Sequence, residues 1–91
     1  MDKIQKHAKL CDELKALYAK KNHDYGDSFH TTFSEEGMAM CRIRLSDKLN
    51  RFKQLTRSNE RQVNDESMRD TLLDLANYAI MTILEMEDQL K

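Results

Sequence analysis

The sequence predicts an all-α fold. It has no proline to interrupt a helix and only two glycines, Gly26 and Gly37. The one β-branched pair outside a helical pattern is Thr31–Thr32, so no strand-like run is present. Apolar residues instead recur every three or four positions in three long stretches, the period of an amphipathic helix. At 91 residues the chain is expected to form one domain spanning 1–91, large enough for a single core.

The first helix is expected over about residues 2–22, where Ile4, Ala8, Cys11, Leu14, Leu17 and Tyr18 make an apolar stripe. Residues 22–34, NHDYGDSFHTTFS, have the composition of a connection but carry Tyr25, Phe29 and Phe33, half of the six aromatics. Such a loop folds back on the core or lines a pocket. Ser34 is a suitable cap for a second helix over about 35–56, with Glu35 and Glu36 complementing its dipole. Met38, Cys41, Leu45, Leu49, Phe52 and Leu55 form its apolar stripe. On its polar side Arg44, Asp47, Lys48 and Arg51 stand at i, i+3, i+4 and i+7, a cationic face suited to phosphate oxygens or simply a solvated one. After TRSNERQ, Asn64 is expected to cap a third helix over about 65–90, with Val63 and Met68 as its hydrophobic staple.

The formal net charge of −1 hides an uneven distribution: +1 over residues 1–34, +3 over 35–57 and −5 over 58–91. A basic middle helix beside an acidic last one suggests mutual pairing, or a site for a metal and phosphates together. A nucleic-acid binder would show a basic face without this offset, so direct DNA binding is not expected. No apolar run approaches the length of a membrane span, and the charged start MDKIQKHAKL lacks a signal-peptide core, which makes the cytoplasm the expected location. Cys11 and Cys41 read as small structural thiols; His7 with Cys11 forms an i, i+4 pair that lacks the second pair a tetrahedral metal site needs.

The last helix poses the main question. On a helical wheel Asp70, Asp74 and Asn77 fall within a wedge of about 60°, with Glu66 one turn before them. Leu73, Ile80, Met81 and Leu84 flank that wedge, while Leu72, Leu75, Ala76, Ala79 and Ile83 occupy the other side. A helix apolar nearly all round is expected to be buried on more than one side. Enclosed acids need a cation or donors: either salt bridges to Arg or Lys of the second helix, or a hard metal such as Mg²⁺ reached by carboxylates one turn apart. In the loop, Gly26 would permit a positive φ that turns N–H groups toward an anion, and Tyr25 and Phe29 offer faces for a base.

Three blocks, KNHDYGDSF, RIRLSDKLNRFKQL and DESMRDTLLDLANYAI, together resemble the nucleotide modification associated domain family 1, small helical proteins common in phages and bacteria. That family in turn looks like the MazG-like all-α nucleoside-triphosphate pyrophosphatases, helical oligomers that hold Mg²⁺ on acidic motifs. The resemblance implies a nucleotide ligand contacted by Lys21, Asp24, Tyr25, Gly26, Phe29, Arg44, Lys48, Arg51, Asn77 and Tyr78. It implies Mg²⁺ on Asp47, Glu66, Asp70 and Asp74, with Asp70 and Asp74 in the catalytic role. The pyrophosphatases carry a Glu-x-x-Glu pair on the preceding helix, where this chain has only Asp47 among basic residues.

The expected function is therefore nucleotide handling in the cytoplasm, that of the host if the chain is phage-encoded. One version is a Mg²⁺-dependent pyrophosphatase-like hydrolase; the alternative is a non-catalytic module that sequesters a nucleotide or nucleotide signal. A third reading is a helical oligomer whose acids and bases pair between helices. Leu73, Ile80, Met81 and Leu84 have no expected partner within the chain, so the bundle is predicted to be completed by homo-oligomerisation with isologous contacts beside the acidic site.

Overall fold

The computed structural model describes residues 1–25, 27–57 and 61–90, with the side chains of all of these except Tyr25 and residues 61–66. Among the described residues the chain is all-α and has no strand. Four helices follow one another: α1 Lys3–Tyr25, α2 Ser28–Glu36, α3 Met38–Thr56 and α4 Arg61–Gln89.

Helix α2 corrects the expectation of a loop over 22–34. Ser, Thr, His and Phe are mediocre helix formers, so propensity points away from a helix here. Packing overrides it. Phe33 is buried with Met40 and Cys41 of α3, and Phe29 packs against that cluster. The Asp27 carboxylate caps the helix by accepting from His30 N–H at 3.4 Å, and Thr31, Thr32 and Ser34 donate their hydroxyls to carbonyls four residues back. Ser34 is thus inside α2 rather than the cap of the next helix. The break comes at Gly37, whose φ of +70° and ψ of −154° lie in a region essentially restricted to glycine; its N–H donates to Phe33 O at 2.7 Å. Helix α4 begins at Arg61, so Asn64 lies within it rather than at its cap, and the Val63 side chain is outside the described residues.

Helices α3 and α4 pack along much of their length, α2 closes one end of the pair, and α1 crosses α4 with its second half. Leu14, Leu17 and Tyr18 of α1 are half-buried, whereas residues 1–12 are exposed, Ile4 at 82%. Cys11 is therefore on the surface, contrary to its expected apolar setting, with Sγ 3.6 Å from His7 Nδ1; Cys41 is buried at 1% exposure. Bidentate bonds from Arg69 to Glu13, at 2.7 and 2.8 Å, fasten the crossing and hold the Glu13 carboxyl below its usual range.

The shape is extended, 43 × 31 × 24 Å, and its radius of gyration of 14.8 Å exceeds the roughly 12 Å expected for this length. Among the described residues five are buried: Phe33, Met40, Cys41, Thr71 and Glu85. One expectation about α4 is overturned in part, since Ile80 and Leu84 are exposed as expected, and Leu75 and Ala76 are half-buried. Leu72, Ala79 and Ile83, assigned to the covered side, are exposed, and Met81, assigned to the unpartnered side, is half-buried and lines an internal cleft. The reason is rotational. Helix α3 approaches the arc of α4 carrying Thr71, Leu75, Tyr78, Thr82 and Glu85, about a quarter-turn from where the apolar count placed it.

Candidate functional site

A cleft of about 360 Å³ opens where α1, α2, α3 and α4 meet. Helix α1 supplies Tyr18, Lys21 and Asn22, an i, i+3, i+4 set on one face. Helix α2 supplies Ser28, Phe29 and Thr32, α3 supplies Met40 and Arg44, and α4 supplies Asp74, Asn77, Tyr78 and Met81.

The aromatic wall is a stacked pair, Phe29 and Tyr78, with ring centroids 5.9 Å apart and planes inclined by 29°. Offset rings at this separation leave apolar surface facing the cleft. A charge cluster adjoins them, with Asp74 one turn before Tyr78 on α4. Asp74 accepts from Lys21 Nζ at 3.2 Å and from Lys48 Nζ at 3.0 Å. Partial burial pushes the Asp74 carboxyl up, but the Lys48 and Lys21 ammonium groups outweigh it and hold the group below its ordinary value. Arg44 borders the same cleft and forms no ion pair with any described residue. Lys21, Arg44 and Asp74 thus line the cleft together, and Lys48 reaches Asp74 from α3.

Asn77 spends its amide Nδ2 on Leu14 O, 3.1 Å away, which ties α1 to α4 beside the cleft. Behind the aromatic wall, His30 of α2 bonds through Nδ1 to the buried Glu85 carboxylate at 2.8 Å. The hydrogen bond to Glu85 and its charge raise the His30 pKa above 6.5, so the pair is ionic over the acid side of neutrality. Burial raises the Tyr18 phenol, with Asp27 and Glu85 adding to the effect.

The fold brings together Lys21, Phe29, Arg44, Asp74, Asn77 and Tyr78 from the sequence-based set, and Lys48 joins them through Asp74. Asp24, Asp47, Arg51 and Asp70 are exposed and do not line the cleft. Tyr25 by its side chain, Gly26, and Glu66 by its side chain lie outside the described residues. Among the described residues no three His, Cys, Asp or Glu groups converge to hold a metal ion. Of the two fates foreseen for the wedge acids, Asp74 follows the salt-bridge one.

Sequence reasoning missed Tyr18, which it assigned to an apolar stripe, Met81, which it placed beside the acidic wedge, Met40 of α3, and Ser28 and Thr32, which lie in the unforeseen helix. Asn22 was within a quoted block; its spacing from Tyr18 and Lys21 was the signal that could have marked it.

Fold and cleft together define a small all-helical protein with an aromatic-walled cleft that carries Lys21, Arg44 and Asp74. A family model for nucleotide modification associated domain 1 matches residues 21–86, well over half the chain, and the chain belongs to that family. The matched span takes in every lining residue except Tyr18. No curated protein and no solved structure matches the chain. No helix among the described residues is long and apolar enough to cross a membrane.

Proposed function

We propose that the cleft binds a nucleotide, its phosphates on Arg44 and Lys21 and its base against Phe29 and Tyr78, and that the chain acts as a cytoplasmic binding module. The supporting observation is Arg44, a guanidinium with no ion-pair partner among the described residues, which lines the same cleft as the stacked rings. An arginine fork engages phosphate oxygens in pairs, and an aromatic face accepts a base without needing a sequence-specific donor. A volume of about 360 Å³ is in the range of small-ligand pockets.

Magnesium has a limited place in this reading. The ion takes oxygen ligands and is usually held by one or two carboxylates together with substrate phosphates. Asp74 is already engaged by two ammonium groups, and no cluster of three potential ligands exists among the described residues, so these do not fit a metal centre built by protein alone. Mg²⁺ therefore enters as a counter-ion carried by the bound phosphates. The chain is further proposed to work as a homo-oligomer.

Calorimetric titration with unmodified and modified nucleotides, with Mg²⁺ and with EDTA, tests this reading. Saturable binding that survives EDTA and returns the nucleotide intact supports it. Release of pyrophosphate in Mg²⁺ would replace the binding module with a hydrolase, and absence of binding under both conditions would remove the nucleotide altogether.

A further inference from the structure

The outer face of α4 carries a pattern that the cleft does not use. Leu72, Ala76, Ala79, Ile83, Met86 and Leu90 follow one another at intervals of four, three, four, three and four residues. That alternation is the heptad seam of a coiled coil, which keeps one stripe facing a partner helix. All but Ala76 are exposed, Ile83 at 52% and Met86 at 46%, and Ala76 is half-buried. Ile80, at 46%, borders the stripe.

The total surface leaves room for an interface on this face. The chain exposes 7286 Å², against roughly 5,500 Å² expected of a folded monomer of 10.7 kDa. The excess is about 1,800 Å², where a standard interface removes about 800 Å² from each partner. The exposed first half of α1 and the outer face of α4 both contribute to the excess.

We infer that the occupant is a second copy of this chain, with its α4 antiparallel to the first and centred near Met81. The sizes of the side chains select this register. In an antiparallel pair each a-type position faces a d-type position of the partner. Leu72 then meets Leu90 of the partner, Ala76 meets Met86, and Ala79 meets Ile83. Every alanine is opposite a long side chain, and Ile80 approaches its own copy at the two-fold axis. A parallel pair would instead stack Ala76 on Ala76 and Ala79 on Ala79, leaving thin layers. An open groove of about 310 Å³ between α3 and α4, lined by Met38, Leu45, Leu49 and Leu75 among others, borders the stripe and gives the partner a second apolar contact.

This interface differs from the one that the sequence places beside the acidic wedge. It deepens the proposed self-association and is independent of nucleotide binding, since the cleft is on the other side of α4.

The test combines sedimentation equilibrium with disulfide trapping on the full chain. Wild type is expected to sediment as a dimer, and Ile83→Glu to fall to half that mass with its helical circular dichroism retained. In a Cys11→Ser background, Ala79→Cys together with Ile83→Cys is expected to give a covalent dimer on mild oxidation, and Ala79→Cys alone is not. A wild-type monomer at tens of micromolar overturns both self-association and this interface. A dimer that Ala79→Cys alone can trap, or that the double variant fails to trap, overturns the antiparallel register while leaving self-association in place. Titrating Ile83→Glu with nucleotide reports on the cleft separately, so the two proposals fail by different readouts.

Discussion

On the inner arc of α4, polar groups are matched by neighbours from other helices: Asp74 by Lys21 and Lys48, Asn77 by the Leu14 carbonyl, Glu85 by His30, and the Tyr78 ring by Phe29. On the outer arc Leu72, Ala79, Ile83 and Met86 are open to solvent. The contrast separates two jobs within one helix. The inner arc is set by local pairing and shapes a cleft inside the protomer, while the outer arc is apolar, periodic and incomplete without another surface. Substitutions on the first should change folding and ligand binding, and substitutions on the second should change mass in solution.

The largest expected effect breaks the inner side at its core. Phe33→Ala removes the aromatic ring buried against Met40 and Cys41 and should cost about 3–5 kcal/mol in denaturant unfolding. Ile83→Ala on the outer arc should change the stability of the dilute chain by less than about 0.5 kcal/mol. Comparable losses would mean that the two arcs do not differ as described. Gly37→Ala comes next. Its added Cβ meets nothing within 4 Å, so the cost is backbone strain alone, about 1–3 kcal/mol; an unchanged unfolding midpoint would show that the α2–α3 joint does not hold this conformation.

Asp74→Asn should be milder, about 1 kcal/mol, because solvent reaches the carboxylate and screens its two lysines. Its pH signature is more diagnostic. The folded-state pKa is held below 3.8, so the stabilisation is present above that value and is lost as pH falls through the lower folded one. Acid melting of wild type should therefore steepen below about pH 4, and Asp74→Asn should flatten it. The smallest effect belongs to His30. Its raised pKa makes the contribution of the Glu85 pair fully present below 6.5 and lost as pH rises through the higher folded value. The melting temperature of wild type should thus fall slightly between about pH 6 and 8, and that slope should be absent in His30→Gln.

The legible and illegible parts of the sequence divide along the same line. Long periodic stretches made the three main helices readable, and Lys21 and Phe29 of the block KNHDYGDSF, together with Arg44, Lys48, Asp74, Asn77 and Tyr78, were named residues that do converge. Helix α2 was not readable, because SFHTTFS has poor intrinsic helicity and becomes helical by burying Phe33 and packing Phe29. The rotation of α4 was not readable either. Its apolar residues occupy almost the whole circumference, so hydrophobicity does not say which arc meets α3; Thr71 and Glu85, polar yet buried, mark that arc only once the fold is known. Asp47, Arg51 and Asp70 fit their blocks by spacing, but exposed turns of α3 and α4 carry them away from the cleft.

The central claim is that the inner arc shapes a nucleotide cleft in which Arg44 engages the phosphates. Isothermal titration of nucleotides into wild type and Arg44→Ala, both in EDTA, tests it most directly. The account predicts saturable binding to wild type, at least about tenfold weaker in Arg44→Ala as expected for a charged contact worth some 1.4 kcal/mol or more, with melting temperatures of the two unliganded proteins alike. Equal affinity in both proteins, or no heat of binding to folded wild type, would contradict it.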